Sequence, residues 1–274
     1  MLDITKLLTN AKYREKIGEK VQDPVLQRFW RDEIGKWSPH QMNEAAGPIL
    51  NKIGQFFSSF MVRNMVGQQK NSFGIRWAMD KKKILIMNLS KGMIGEDASN
   101  MLGAMLVTKF QIDAMSRADI PEKDRIDFYL YVDEFQNFAT SSFATILSEA
   151  RKYKLNLTMA NQYIEQMEDE VRSAVFGNVG SLFTFQVGHT DADVLAPALG
   201  DEEVVSPQDL MNLPKYQIYT KFLIDGIPSQ IFSANTNPPV DTDNPDFFQS
   251  REKLIENSRM RYARERAKIE KLIQ

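Results

Sequence analysis

Phe128-Tyr129-Leu130-Tyr131-Val132-Asp133-Glu134 is a short apolar run that stops on two adjacent carboxylates, and Phe135-Gln136-Asn137-Phe138 follows it. A block rich in aromatic residues and closed by Val132 favours a strand, which puts the acidic pair at its carboxyl end. This is the form of a Walker B segment. Asp133 can hold the water shell of a Mg²⁺ ion, and Glu134 can polarise an attacking water. A strand ending in Asp-Glu is about as often only a polar strand end, so the motif alone leaves both readings open. No Gly-x-x-x-x-Gly-Lys-[Ser/Thr] phosphate loop occurs in the 274 residues. The chain therefore reads as the second half of a nucleotide-driven device whose phosphate cradle lies elsewhere.

Composition narrows the field around that motif. Hydrophobic residues make up 43% and charged residues 26%, ordinary values for a soluble globular chain of one large or two smaller domains. A formal net charge of −2 gives no bulk attraction to nucleic acid, so any DNA contact must come from local patches. There is no cysteine, which excludes disulfides and thiolate metal sites and fits a reducing compartment. His40 and His189 are the only histidines and stand far apart, so a zinc site is not expected. No apolar run approaches the roughly 20 residues of a membrane span, and the N-terminus has no signal-peptide pattern.

Three regions follow from patterning. Residues 1–72 read as a helical, all-α region, with Ile49, Ile53, Phe56, Phe57 and Phe60 at helical spacing. Residues 73–236 alternate strand-like and helix-like stretches, the sign of a parallel α/β sheet. Residues 237–274 form a Pro/Asp/Asn-rich linker and then a charged, basic-leaning helical tail.

Within the middle region, Lys83 to Leu89 predicts a buried strand, preceded by a solvated lysine run at 81–83. Ala98 to Ser116 predicts a helix with Ala98, Met101, Leu102, Met105, Leu106 and Ile112 toward the core. Ser141 or Ser142 can cap a helix carrying Phe143, Ile146, Leu147 and Ala150. Leu155 to Ala160 and Ser181 to Val187 predict two further strands. Tyr216 to Ala234, folded about Asp225-Gly226, predicts a closing hairpin. Trp30, Trp37 and Trp77 read as core anchors, and His189 as a surface residue.

At this point the motifs, taken in order, resemble a known family. Leu-Ser-Lys-Gly-Met-Ile-Gly-Glu (89–96), Tyr-Val-Asp-Glu-Phe-Gln (131–136), Ser-Glu-Ala-Arg-Lys-Tyr (148–153), Ala-Asn-Gln-Tyr (160–163) and Phe-Gly-Asn-Val-Gly (176–180) resemble the TraG/TraD-type coupling ATPases of the HerA–FtsK superfamily. Any one of these pieces is weak; five in order are not. The resemblance implies an α/β fold: a RecA-like P-loop NTPase sheet missing its phosphate-loop strand, with an N-terminal helical insertion and a C-terminal helical tail. It implies ATP and Mg²⁺ as cofactors, with Asp133 serving the metal, Glu134 activating water and Gln162 sensing the γ-phosphate. Arg151 maps to an arginine finger acting on a neighbouring subunit's nucleotide. If the helix starts near Ser142, Arg151 lies roughly 15 Å down it, too far along to serve its own subunit easily, so a ring is implied, a hexamer by the resemblance.

The resemblance further implies DNA, gripped non-specifically, as cargo, with relaxosome or secretion-channel proteins as further partners. The implied role is ATP-driven DNA translocation in conjugation or type IV secretion, in the cytoplasm or at the cytoplasmic face of the inner membrane if an upstream anchor exists. The chain alone is expected to be inactive without a Walker A segment. In the resembling fold the strand feeding the phosphate loop lies between residues 155–160 and 181–186, so these are expected to share a gap or close onto each other. Two other readings stay open. One is a non-catalytic motor remnant that docks a partner or DNA, with the Arg259, Arg261, Arg264 and Arg266 tail as its contact. The other is a related motor for genome packaging or chromosome handling. The basic residues between Thr9 and Arg31 alternate with Glu15, Glu19 and Asp23 and read as a solvated helix face.

Overall fold

The computed structural model describes residues 2–139, 141–200, 203–240 and 245–273, with the side chains of residues 141, 142 and 245–248 outside that description. The side chains of the expected caps Ser141 and Ser142, and residues 241–244 of the expected linker, thus lie outside the description. The chain divides into two compact units: residues 1–73, 86–102 and 258–274 in one, and residues 74–85 and 103–257 in the other.

The first unit is helical among its described residues. Its longest helix that lies wholly within it, Pro39–Ser58, starts at a reciprocal cap. Ser38 Oγ accepts the Gln41 amide at 3.2 Å, and Gln41 Oε1 accepts the Ser38 amide at 2.9 Å; this satisfies two donors that a helix start leaves open. Met42, Ala46 and Phe56 are buried from this helix, and Val62 from Phe60–Val66. The charged tail is not uniformly solvated. Its last helix, Arg266–Ile273, buries Ile269, and the Arg266 guanidinium lies 4.1 Å from the centre of the Phe60 ring.

The second unit carries the strands. Phe128–Val132 (β1) and Leu155–Met159 (β2) pair in parallel, Phe128 opposite Leu155 through Val132 opposite Met159. The Ser141–Glu149 helix forms the crossover. Leu182–Thr184 (β3), Gln217–Lys221 (β4) and Phe232–Asn235 (β7) form an antiparallel sheet in the order β3-β4-β7. Between β4 and β7, Leu223–Ile224 (β5) and Ile227–Pro228 (β6) turn through Asp225 and Gly226, whose φ angles are 51° and 81°. Asp-Gly suits a turn that needs two left-handed residues, so the expected hairpin forms. The buried centre of this unit includes Ile164, Leu195, Leu199, Val205 and Leu210.

The structure departs from the sequence reading in four places. Lys83 to Leu89 is not a buried strand: it joins no ladder, and Ile84 and Ile86 are 90% and 88% exposed. Its burial still alternates, but a strand needs a neighbour, and none of the described residues supplies one. Among the described residues only β1 and β2 pair in parallel, the other pairings being antiparallel. Ile112 faces out of the Glu96–Met115 helix, and Trp37 and Trp77, 40% and 43% exposed, do not anchor a core. Lys83 instead covers Trp77, its Nζ 5.5 Å from the ring centre. As for the expected gap, β2 pairs only with β1 and β3 only with β4 among the described residues.

Candidate functional site

The carboxyl ends of β1 and β2 lie side by side because the pair is parallel and in register. Two backbone bonds fasten them just past the ladder: the Ala160 amide donates to the Val132 carbonyl, and the Phe135 amide to the Ala160 carbonyl, both at 2.9 Å. Beneath them Phe135 and Phe143 are fully buried, their ring centres 4.5 Å apart. The chain can therefore turn sharply after Val132 while its apolar side stays anchored.

Glu134 makes that turn at φ 50° and ψ 45°, a left-handed conformation that non-glycine residues seldom adopt. Its amide donates to Asp133 Oδ1 at 3.0 Å. The Glu134 carboxylate accepts from two glutamine amides, Gln162 Nε2 on Oε1 and Gln136 Nε2 on Oε2, the latter at 2.6 Å. Asp133 is exposed and Glu134 half-buried. The structure thus gathers Asp133, Glu134 and Gln162 at one sheet edge, with both carboxylates open to an incoming group.

Arg151 is not part of this gathering. It precedes β2, whereas Gln162 follows it, and the five residues of β2 rise about 3.3 Å each, so roughly 16 Å of strand separates the two positions. Arg151 sits exposed on the 3-10 turn Ala150–Tyr153 that closes the Ser141–Glu149 helix.

Two residues at the site were not singled out from the sequence. Gln136 holds the second oxygen of Glu134, while its own Oε1 is buried with no partner among the described residues. Asp191 is buried, and its two oxygens accept the Ile164 amide at 3.2 and 3.3 Å, which steadies the chain two residues beyond Gln162. His189 itself is a surface residue, 3.8 Å from Asp193.

The donor set fits a Mg²⁺ ion held jointly with phosphate oxygens. Mg²⁺ keeps several waters and takes one or two carboxylates beside a substrate phosphate; Asp133 offers such a carboxylate. Among the described residues no group of three or more His, Cys, Asp or Glu gathers to hold a metal unaided. Glu134, with both oxygens on amide donors, is better suited to orient a water than to bind the ion.

With this geometry in hand, residues 127–215 match the family model described as the TraM recognition site of TraD and TraG. Residues 127–215 are thus similar to a segment of TraD and TraG. This segment, about a third of the chain, spans β1, β2, β3 and the acidic pair. Among solved structures, the chain is similar to a bacterial conjugative coupling protein, TrwBdeltaN70 in an unbound monoclinic form. The identity is 19%, the TM-score is 0.46, and the likeness covers 56% of this chain and 41% of the other, so this chain spans under half that protein's length. The comparison with curated proteins gave no match. Among the described residues no helix is long and apolar enough to cross a membrane.

Proposed function

We propose that the chain is the water-activating half of a RecA-like, ATP-driven DNA translocase, a coupling protein that works as a ring, six-fold by the family resemblance, in conjugation or type IV secretion. The observation that carries this reading is the bond between Gln162 and Glu134 at adjacent strand ends within a TraG/TraD-type segment. Glu134 orients the attacking water, Gln162 couples that carboxylate to the terminal phosphate, and Asp133 holds Mg²⁺ through its water shell. The bound Mg²⁺ and triphosphate supply charge neutralisation and a phosphoryl group activated for in-line attack. Arg151, roughly a strand's length away, serves a neighbouring copy.

The phosphate cradle belongs, on this reading, to another stretch of polypeptide whose strand completes the sheet. The exposed faces support this. Tyr129 and Tyr131 on β1 are 61% and 72% exposed, although parallel sheets are normally covered on both faces. The description of residues 127–215 as a recognition site for TraM in TraD and TraG supports a relaxosome protein of that kind as a docking partner. Arg251 to Lys271 and the DNA are further candidates for contact.

DNA-stimulated ATP hydrolysis by the full-length protein, beside Glu134→Gln, tests the reading. A fall of at least a hundredfold in the variant is expected. Equal rates would remove Glu134 from the mechanism and favour a docking remnant.

A further inference from the structure

Arg151 lies on a turn whose end is clamped by two other arginines. Carbonyls at the end of a helix have no partner inside it, and cations suit them. Here Arg117 Nη1 donates to the Tyr153 carbonyl at 3.0 Å, and Arg125 Nη1 donates to the Lys152 carbonyl. Lys154 then leaves the turn at φ 55°.

Neither clamp is casual. The Arg117 side chain is wholly buried, donates through Nη2 to the Ile126 carbonyl at 2.5 Å, and lies 3.1 Å from Asp80 through Nε. Arg125 Nε reaches the carbonyls of Arg117 and Ile120 at 3.1 and 2.9 Å, and its guanidinium lies over the Tyr153 ring at 5.3 Å. The guanidinium fork is rigid and offers several donors at fixed angles, so these contacts set the turn's position, not only its charge. Arg151 is the opposite case. It is exposed, and among the described residues its side chain pairs with no carboxylate and donates no hydrogen bond. An exposed arginine with no partner among the described residues, on a turn held by two buried or half-buried arginines, is arranged to meet an anion from outside.

We infer that Arg117 and Arg125 are positioning residues that present Arg151 to the phosphate oxygens of a nucleotide on a neighbouring copy. The inference rests on the proposed role of Arg151 and adds what makes that role effective. An arginine finger contributes a factor of about 10³–10⁵, and a misplacement of about 1 Å costs on the order of a hundredfold. Loosening the clamp therefore lowers turnover steeply without touching the water-activating site.

The test uses the full-length protein and Arg125→Gln, because removing the buried Arg117 leaves the Tyr153 and Ile126 carbonyls without its donors and weakens the fold. Arg125→Gln is expected to lose about a hundredfold in kcat with nucleotide affinity unchanged. Tyr153→Leu, which removes the ring beneath Arg125, shifts in the same direction. Mixing decides the mechanism. Glu134→Gln subunits carry an intact Arg151, so in mixed rings they restore turnover to the sites of Arg125→Gln subunits, two inactive proteins yielding an active one. Wild-type turnover in Arg125→Gln, or loss without restoration on mixing, overturns the inference. Arg151→Ala mixed with Glu134→Gln is the control. If that pair also fails to restore activity, the finger role of Arg151 falls as well; if it succeeds where Arg125→Gln fails, only the clamp falls.

Discussion

Gln162 Nε2 donates to Glu134 Oε1 although 28 residues separate them in the chain. The contact exists because β1 and β2 run parallel and in register, so that residues just past each strand meet at one edge. Two residues acting as one unit in hydrolysis give non-additive variants.

The first expectation follows. Gln162→Ala and Glu134→Gln each lower hydrolysis in the full-length protein by on the order of 10²-fold or more, and the double variant is barely slower than Glu134→Gln. Steady-state ATPase rates on the four proteins check this. Strictly multiplicative losses would mean that the two side chains act independently.

A second expectation concerns strain. Glu134 sits in the left-handed region, where a non-glycine residue costs about 1–2 kcal/mol relative to its usual conformation. Asn tolerates that region far better. Glu134→Asn is therefore expected to keep or raise stability, by up to about 1 kcal/mol, while abolishing hydrolysis. Urea unfolding monitored by circular dichroism reads this; a loss of stability would show that the amide contacts of Glu134 outweigh its backbone strain.

Part of this was legible in residues alone, and the reasons differ by place. β1 and β2 could be read because each is a compact apolar block ended by polar residues, and Asp225-Gly226 announces its turn chemistry. Asp133, Glu134 and Gln162 could be placed at strand ends for the same reason. Lys83 to Leu89 has the same pattern as a true strand, yet pattern alone cannot say whether a neighbour is present to pair with it. The left-handed turn at Glu134 and the burial of Asp191 and Arg117 left no local signal, because each depends on groups brought from 27 or more residues away. Trp77 gave no local sign that it stays 43% exposed, with the Lys83 ammonium 5.5 Å from its ring centre in place of a core.

Asp191 gives a third expectation. It accepts the Ile164 amide with both oxygens in a buried setting, so truncation leaves that donor without a partner. Asp191→Ala is expected to cost about 1–3 kcal/mol and to free the segment bearing Gln162. Hydrogen exchange at the Ile164 amide, slow in the wild type and fast in the variant, checks it. Unchanged exchange would remove Asp191 from the support of the site.

Acid sensitivity supplies a fourth. A hydrogen bond from Arg76, and then its charge, hold the Asp119 carboxyl below its ordinary value of 3.8. A carboxyl depressed in the folded state stabilises the fold fully above its unfolded value, and that contribution disappears as pH falls through the folded value. Melting temperature is thus expected to drop as pH falls below about 4, and Asp119→Asn to make that acid limb shallower while leaving the slope near neutrality alone. Glu96 and Glu270 are depressed by Lys91 and Arg266 in the same sense, so the variant removes a part of the limb only. An identical limb in the variant would mean that Asp119 and Arg76 are not paired in solution.

Gly103 gives the last, and here two effects of opposite sign compete. Glycine inside the Glu96–Met115 helix costs about 1 kcal/mol relative to alanine on propensity alone, so Gly103→Ala would ordinarily stabilise. The position is buried, however, and a Cβ there would run into the ring of Phe138, four residues past Glu134. Overpacking of this kind costs about 1–3 kcal/mol and wins, because Phe138 follows a turn fastened at Phe135 and cannot easily withdraw. Gly103→Ala is therefore expected to lower stability and to disturb the Glu134 turn. Phe138→Leu in the same chain, by clearing the ring, lets the helix preference of alanine emerge, so the double variant is expected to be more stable than Phe138→Leu alone. Chemical unfolding of the four proteins measures the sign. Stabilisation by Gly103→Ala in the wild-type background would place Phe138 away from that helix.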